Sequence, residues 1–240
     1  MIIGVVTLTG VGFKIAYMVT SVAAGWAQSV ADSLAFLPFE LFSVATLTLL
    51  FTLIMTAIVC VLMGCGIPTT ANYLIMIAVA APILSLLGVE PIVAHFFVFY
   101  FGVLADITPP VALAAYAAAG IAGANAFKAG NTAFRLAMGK ALVPFVFVFS
   151  PSMLLVTDSF TWNEFFLATI GAMLGIWMLS AAFTSWLFAP LRVYERLLLG
   201  FAAILFVAPD LYATLAGAVM VLPVFLRQMM VRRQESPSSS

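Results

Sequence analysis

Residues with the chemistry to bind an ion or a carboxylate occur in two short segments, each inside a long apolar run. The first is Gly64–Cys65–Gly66–Ile67–Pro68–Thr69–Thr70–Ala71–Asn72, within a charge-free stretch from Leu41 to Val89. Closely spaced glycines and a proline disfavour a regular helix, so we predict irregular backbone here. Its carbonyl groups, with the hydroxyls of Thr69 and Thr70 and the amide of Asn72, would supply hard oxygen ligands suited to a cation. Helix N-termini facing this segment would favour an anionic group.

The second segment is Ala105–Asp106–Ile107–Thr108–Pro109–Pro110–Val111, in the run 91–123, where Asp106 is the only charged residue. Pro109 and Pro110 remove two backbone donors and push Thr108 out of the helical region, so the helix should unwind. Asp106 adds a carboxylate at the same depth. An ionisable residue inside a membrane is costly, which makes it a candidate functional residue.

Each segment also has a purely structural interpretation. The Pro-Pro pair is also compatible with a kink whose carbonyls are satisfied by neighbours, and the Gly-Pro-Thr-Thr segment with a tight external turn. Asp106 is compatible with a place at a membrane surface. The occurrence of both breaks in succession favours function, because a hairpin followed by a discontinuous helix is how many transporters build midplane sites.

Composition indicates the solvent in which these segments must fold. Hydrophobic residues make up 65% of the 240 positions and charged residues 8%, whereas soluble domains carry about 45–50% and about 25%. A water-soluble globule is therefore excluded, and we predict an all-α, polytopic membrane helix bundle. The zero net charge gives no sign of nucleic-acid binding. Cys60 and Cys65 are expected to be packing residues, and His95 an ordinary polar residue near a helix start.

The apolar runs and the basic residues between them predict the organisation of the chain. The predicted parts are an N-terminal span and connection (1–40, the connection 28–40), a transport repeat (41–157) with a re-entrant hairpin (41–88), a broken helix (91–123) and a span (141–157), C-terminal spans (158–228, with a short final pair near 197–208 and 211–226) and a disordered tail (229–240). Basic and non-basic connections alternate, so the positive-inside rule places the 124–140 loop, the 189–196 loop and the C-terminus in the cytoplasm.

Several runs resemble the large membrane subunit of the tripartite ATP-independent periplasmic (TRAP) transporters, the DctM-like family. They are Gly64–Tyr73, Ala81–Pro82, Gly88–Pro91, Ala94–Phe101 and Ile107–Gly123. The run from His95 to Phe101 and the Ala-Ala-Ala-Gly-Ile-Ala-Gly run are similar to the fused, TAXI-associated branch of the family. As a set these motifs are specific, whereas a lone Thr-Pro-Pro is not.

The resemblance implies uptake of organic acids such as C4-dicarboxylates, driven by a sodium gradient across a bacterial inner membrane. A periplasmic substrate-binding protein would deliver the substrate, and no cofactor is expected apart from the coupling ion. Gly64, Gly66, Thr69 and Thr70 match a hairpin tip, and Thr108, Pro109 and Pro110 match a broken helix. Together these residues would hold one sodium ion, with Gly64, Thr69, Thr70 and Thr108 as its ligands, and part of the carboxylate site.

The resemblance also implies that a partner segment is needed. The family's elevator-type transport domain contains two inverted repeats, and only one hairpin with a broken helix is found here. We therefore expect the C-terminal half of a permease, completed by the missing N-terminal half. The alternatives are an accessory subunit or non-functional remnant, a carrier with another carboxylate substrate or proton coupling, and an intramembrane enzyme. The sequence contains no Gly-x-Ser-Gly or His-Glu-x-x-His motif that would support an intramembrane enzyme.

Overall fold

The computed structural model describes residues 9–34, 43–156, 160–207 and 211–235, and these ranges are helical almost throughout. The α-helices are α1 (Val11–Leu34), α2 (Val44–Gly64), α3 (Thr69–Leu86), α4 (Pro91–Leu104), α5 (Leu113–Ala122), α6 (Ala126–Ala137), α7 (Val143–Phe149), α8 (Trp162–Thr184), α9 (Val193–Leu205) and α10 (Leu211–Glu235). Short 3₁₀ turns occupy Ala105–Ile107, Met138–Leu142 and Pro151–Leu154.

Five helical segments among the described residues are long and apolar enough to cross a membrane. They are Val44–Gly64, Thr69–Leu86, Ala126–Phe149, Trp162–Thr184 and Ala213–Val231. The prediction of an all-α, polytopic membrane bundle is thereby confirmed. The re-entrant placement of the hairpin stays a prediction, as do the domain boundaries.

Contacts within the chain group it into two compact units, residues 1–118 and residues 119–240. In the first unit, α1 packs on α2 and α3, and α4 packs on the same two helices. Ser43 caps α2 by accepting a hydrogen bond from the Thr46 backbone N–H at 3.1 Å. Large apolar side chains such as Leu53, Leu84 and Phe97 are buried in this unit. Both helices of the hairpin α2–α3 therefore pack against α1 and against α4.

The second unit is organised around α8, which packs on α6, α7, α9 and the 3₁₀ turns at 138–142 and 151–154, while α9 also packs on α10. Small residues let these backbones approach closely. A Cβ atom added to Gly171 would lie 2.7 Å from the Phe206 carbonyl oxygen, and one added to Gly175 would lie 3.3 Å from that of Ala203. Close approach at small residues is a common way for helices to associate in lipid.

Two predicted connections differ from the structure. Helix α1 continues through Gln28 and Asp32, whose side chains hydrogen-bond at 2.8 Å, so the predicted 28–40 connection is helical as far as Leu34. Most of the predicted 124–140 loop is helix α6, which begins after Asn125 accepts a hydrogen bond from the Lys128 N–H at 3.0 Å. The charges of Asp32, Lys128 and Arg135 favour a loop in the sequence, but these residues lie on helices.

The second helix of the C-terminal pair is longer than predicted and extends into the predicted disordered tail. Helix α9 has 13 residues, roughly 20 Å at about 1.5 Å per residue, which is short for a core of about 30 Å. Helix α10 has 25 residues and continues through Glu235, so residues 229–235 of the predicted disordered tail are helical. Parts of the predicted N-terminal span, of the 28–40 connection and of the disordered tail lie outside the described residues. These parts are residues 1–8, 35–42 and 236–240.

Candidate functional site

The first predicted break lies at the turn between α2 and α3. Helix α2 ends at Gly64, and the turn is closed by a hydrogen bond of 3.3 Å from the Ile67 N–H to the Gly64 carbonyl. Gly66 has a φ of +80°, a conformation that other residues rarely adopt. Pro68 precedes α3 and accepts a hydrogen bond from the Asn72 N–H at 3.0 Å. Of the segment 64–72 for which irregular backbone is predicted, residues 65–68 are irregular, whereas residues 69–72 form the first turn of α3 because the Asn72 N–H finds a helical partner in the Pro68 carbonyl.

Two helix ends meet at this turn and give it a mixed electrostatic character. The C-terminal carbonyls of α2 carry partial negative charge, and the N-terminal amides of α3 carry partial positive charge. Thr69 is half-buried and Thr70 is exposed in the first turn of α3. The turn can therefore offer carbonyl oxygens to a cation and N–H groups to a carboxylate at nearly the same place.

The second predicted break separates α4 from α5. The 3₁₀ turn Ala105–Ile107 is followed by non-helical backbone through Val111, with a cis peptide bond between Pro109 and Pro110. Ala112 has a φ of +36°, which is strained for a residue with a Cβ atom. The Tyr116 hydroxyl donates to the Pro110 carbonyl at 2.9 Å, so α5 holds the unwound segment in place.

Thr108 lies at the centre of this break and is buried. Its hydroxyl donates to the Leu104 carbonyl at 2.8 Å, its N–H donates to the Ala105 carbonyl at 3.1 Å, and its own carbonyl accepts from Ala112 at 3.0 Å. Because the hydroxyl hydrogen is committed to Leu104, the lone pairs of Oγ1 remain available as acceptors. Thr108 is therefore suited to ligate a cation rather than to donate to an anion.

The structure brings the two breaks together inside the first unit. A Cβ atom added to Gly64 would lie 2.6 Å from the Cβ of Ala105 and 2.5 Å from Nδ2 of Asn72. One added to Gly102 would lie 3.2 Å from the same Nδ2, and one added to Gly66 would lie 3.8 Å from Cγ1 of Val111. Only glycine permits this approach at position 64, so the hairpin turn and the broken helix are in direct contact.

Asn72 is the polar side chain at this contact. It is 1% exposed, and neither its amide oxygen nor its amide nitrogen has a hydrogen-bond partner among the described residues. A buried polar group left unpaired costs about 1–3 kcal/mol. An unpaired amide packed between two glycines at the meeting point of two helix breaks is the arrangement expected of a side chain that meets a ligand or an ordered water.

Two further buried hydroxyls were not predicted from the sequence. Thr52 and Thr56 are almost fully buried, and their Oγ1 atoms have no hydrogen-bond partner among the described residues. With Cys60 and Gly64 they recur every four residues along α2 and so lie on one face that leads to the hairpin turn. The four-residue spacing of these threonines within a charge-free run could have indicated a buried polar face. Threonines that face lipid have the same spacing, so the sequence alone does not distinguish the two.

Asp106 lies in the 3₁₀ turn beside Ala105 and is half-buried. In the part of the chain that the structure describes, its carboxylate has no hydrogen-bond or ion-pair partner.

Pro68 and Pro110 are exposed and Pro109 is half-buried, so these prolines shape the backbone rather than present ligand atoms. The contacts described above involve Gly64, Gly66 and Asn72 on the side of the hairpin.

The remaining candidate residues lie away from this contact or serve in packing. Cys60 is buried, and the half-buried Cys65 donates its thiol hydrogen to the Val61 carbonyl at 3.3 Å. His95 is in the second turn of α4, where its Nδ1 lies 2.5 Å from the Tyr73 hydroxyl of α3. This hydrogen bond joins the two helices that follow the hairpin turn.

Comparison with known proteins adds one finding. A protein-family model described as "Tripartite ATP-independent periplasmic transporter, DctM component" matches residues 1–162. The matched part contains both helix breaks, and residues 163–240 lie outside it. No curated protein matches the chain, and no solved structure does.

Proposed function

Because the chain belongs to the family of DctM components of tripartite ATP-independent periplasmic transporters, we propose that residues 64–72 and 105–111 form part of its cation and carboxylate site. The observation that carries this proposal is the packing of the hairpin turn against the broken helix, with the unpaired amide of Asn72 between them. Membership of the family makes the chain a transporter component of the membrane.

Sodium is the proposed coupling ion. The candidate oxygens of the two breaks are neutral and hard. They are backbone carbonyls of the turn, Oγ1 of Thr108 and the amide oxygen of Asn72, with the Thr69 and Thr70 hydroxyls as further candidates. Neutral oxygen ligands suit a hard cation that must be released again. The nearby N-terminus of α3 is the proposed anchor of one substrate carboxylate. A C4-dicarboxylate-like organic acid fits this pairing of charges.

The proposed working unit is larger than this chain. One hairpin and one broken helix enclose a ligand on one side only, so a second repeat, the N-terminal half of a permease, is proposed to complete the site. A periplasmic binding protein is the proposed source of the substrate. An accessory or remnant role is the alternative, and it predicts that the turn has no ion-dependent behaviour.

We further propose a place in the bacterial inner membrane with a cytoplasmic C-terminus. The basic residues of three segments support this. Arg135 of α6 donates to the Phe183 carbonyl at the end of α8, Arg196 of α9 donates to the Ala182 carbonyl, and Arg227 of α10 pairs with Glu195. These segments meet at one end of the second unit, and such clusters favour the cytoplasmic face.

The test uses Cys65, whose thiol lies at the hairpin turn. Membrane vesicles from cells that express the chain with its natural partners would be treated with a maleimide in sodium, potassium or choline chloride, with Cys60 replaced by serine. We expect sodium to slow alkylation of Cys65 severalfold, and Asn72→Leu to abolish this protection. Equal rates in all three salts would contradict a sodium site and favour the remnant or a proton-coupled carrier. Because maleimide reacts with the thiolate, a free thiol at the same pH is the reference. Protection relative to that reference that requires protons instead of sodium would select proton coupling.

A further inference from the structure

The second unit contains an apolar groove with Arg196 at its polar end, and Arg135 binds the carbonyl of one lining residue. The groove lies between α8 and α9, has a volume of about 450 Å³ and is lined at its polar end by Ala182, Phe183 and Arg196. This volume falls in the range of about 300–1,000 Å³ that is typical of small-molecule sites. The residues that line the groove lie beyond residue 162 and so outside the family match, whereas Arg135 lies within it.

The apolar part of the groove is open on the side of α9. Val193, Leu197 and Phe201 line it and are 71%, 60% and 61% exposed. Large apolar residues this exposed on a membrane protein face hydrocarbon. From Val193 to Ile204 the groove follows α9 for roughly 16 Å at about 1.5 Å per residue, close to half of a hydrocarbon core of about 30 Å. The length therefore matches one leaflet.

Two guanidinium groups from different helices bind consecutive carbonyls near the end of α8, beside the polar end of the groove. Arg196 donates Nε to the Ala182 carbonyl at 2.8 Å. Arg135 donates Nε and Nη2 to the next carbonyl, that of Phe183, at 3.1 and 2.9 Å. Both carbonyls belong to residues that line the groove. Arg135 also donates from Nη2 to the Ser185 hydroxyl at 3.4 Å. Two cations on adjacent carbonyls repel each other, while the negative end of the α8 dipole attracts both.

Neither guanidinium has a carboxylate partner in the described ranges 9–34, 43–156, 160–207 and 211–235, where the ion pair found is that of Arg227 with Glu195. A guanidinium has five N–H donors, and the bonds above occupy only some of them. A phosphate would accept several of the rest and relieve the repulsion, since arginine matches phosphate geometry well.

We propose that this groove binds an anionic phospholipid, with one acyl chain along α9 and the phosphate at Arg135 and Arg196. A basic pocket between helices at a membrane surface is the recognised setting for anionic headgroups. The acyl chain supplies contacts that a free phosphate lacks, because the groove is apolar over most of its length. A zwitterionic lipid carries its own ammonium group, which the two arginines would repel.

The first test compares lipids by native mass spectrometry of the full 240-residue chain in detergent. Phosphatidylglycerol and phosphatidylcholine with identical acyl chains are the probes. We expect an apparent Kd about tenfold lower for phosphatidylglycerol, a preference that Arg196→Gln reduces severalfold. Lys128→Gln, which removes an exposed cation of the same basic region, is the matched control and should keep the preference. Equal binding of the two lipids would overturn the proposal.

The second test fills the groove and keeps both arginines. Gly200 lines the groove, and a Cβ atom added there meets nothing within 4 Å. Gly200→Leu should therefore fold and lower phosphatidylglycerol binding severalfold, whereas Gly200→Ala leaves the groove open and should bind as before. If Arg196→Gln does not fold, these two Gly200 variants still test whether the lipid binds in the groove. Unchanged lipid binding in Gly200→Leu, or displacement of phosphatidylglycerol by millimolar inorganic phosphate alone, would show that the groove is not a lipid site.

Discussion

At the scale of single residues, Asn72 gives the sharpest separation of function from stability. Replacing it with leucine removes a buried amide without a protein partner, so the folded state should not lose stability and is expected to gain about 1 kcal/mol. The same change should abolish the sodium protection of Cys65. Thermal unfolding in detergent and alkylation rates measure the two effects. Loss of both stability and protection would instead assign Asn72 a packing role.

Thr56→Val is the matched control for Asn72. The Thr56 hydroxyl is also buried and unpaired, and valine has nearly the same shape. We expect Thr56→Val to leave sodium protection intact, because Thr56 lies two helical turns from Gly64 along α2. A complete loss of protection in this variant would extend the ligand region along that face of α2.

Asp106 is predicted to affect ion dependence and to leave folding largely unchanged. Its carboxylate has no partner among the described residues, so Asp106→Asn removes no hydrogen bond or ion pair and should change the free energy of unfolding by less than about 1 kcal/mol. Loss of a negative charge beside the helix break should raise the sodium concentration needed for half-maximal uptake by the assembled transporter. Uptake with unchanged sodium dependence would remove Asp106 from the mechanism.

The second unit contains two fully buried polar side chains, Glu195 and Gln228, and Glu195 pairs with the half-buried Arg227. Glu195 accepts a hydrogen bond from the Arg192 N–H at 2.7 Å and pairs with Arg227, and Gln228 accepts from the Ala189 N–H at 2.8 Å. Glu195→Gln should lower the melting temperature more than Lys128→Gln does, because it leaves a cation without its partner. Adding Arg227→Gln to Glu195→Gln should restore part of the loss, and strictly additive effects would show that the two residues are not coupled.

At the scale of secondary-structure elements, glycines decide how closely α8 approaches its neighbours. In Gly171→Ala the new Cβ atom would meet the Phe206 carbonyl oxygen at 2.7 Å, so the variant should lose about 1–3 kcal/mol of stability. Gly200→Ala meets nothing within 4 Å and should gain up to about 1 kcal/mol from helix propensity. Unfolding measurements on the pair test the packing, and equal stabilities would contradict it.

The helix breaks could be predicted from sequence because their causes are local. Gly64, Gly66 and Pro68 prevent a helix by their own backbone chemistry, as do Pro109 and Pro110. Helix α6 is not predicted from the sequence, because the charges of Lys128 and Arg135 favour a solvent loop there. Arg135 instead binds the Phe183 carbonyl, 48 positions along the chain, and a contact so distant leaves no local pattern.

The candidate site illustrates the same limit. Its residue types could be named from the sequence. Glycines and prolines that leave backbone carbonyls without helical partners lie close to hydroxyl side chains in the same short segment. Which side chain occupies the contact could not be named. Asn72 meets Gly64 and Gly102 only because α2, α3 and α4 converge, and the burial of Thr52 and Thr56 depends on the same packing. Convergence of this kind is a property of the tertiary structure.

At the scale of the whole molecule, the basic residues predict the orientation in the membrane. Helix α8 has 23 residues, about 35 Å at about 1.5 Å per residue, enough to cross a core of about 30 Å. Arg135 and Arg196 bind carbonyls at its C-terminal end, so its N-terminal residue Trp162 lies at the other end. The positive-inside rule then places Trp162 on the periplasmic side.

Cysteines introduced at Trp162 and at Lys128, in a background with Cys60 and Cys65 replaced by serine, test this orientation. Both positions are exposed, so access to solvent on one side of the membrane should decide labelling. In intact cells an impermeant maleimide should label the cysteine at 162 and spare the one at 128, and permeabilisation should expose both. The reverse pattern would place the basic end outside and contradict the proposed cytoplasmic C-terminus. The phosphatidylglycerol preference of the groove between α8 and α9 does not depend on this result, because it is measured in detergent.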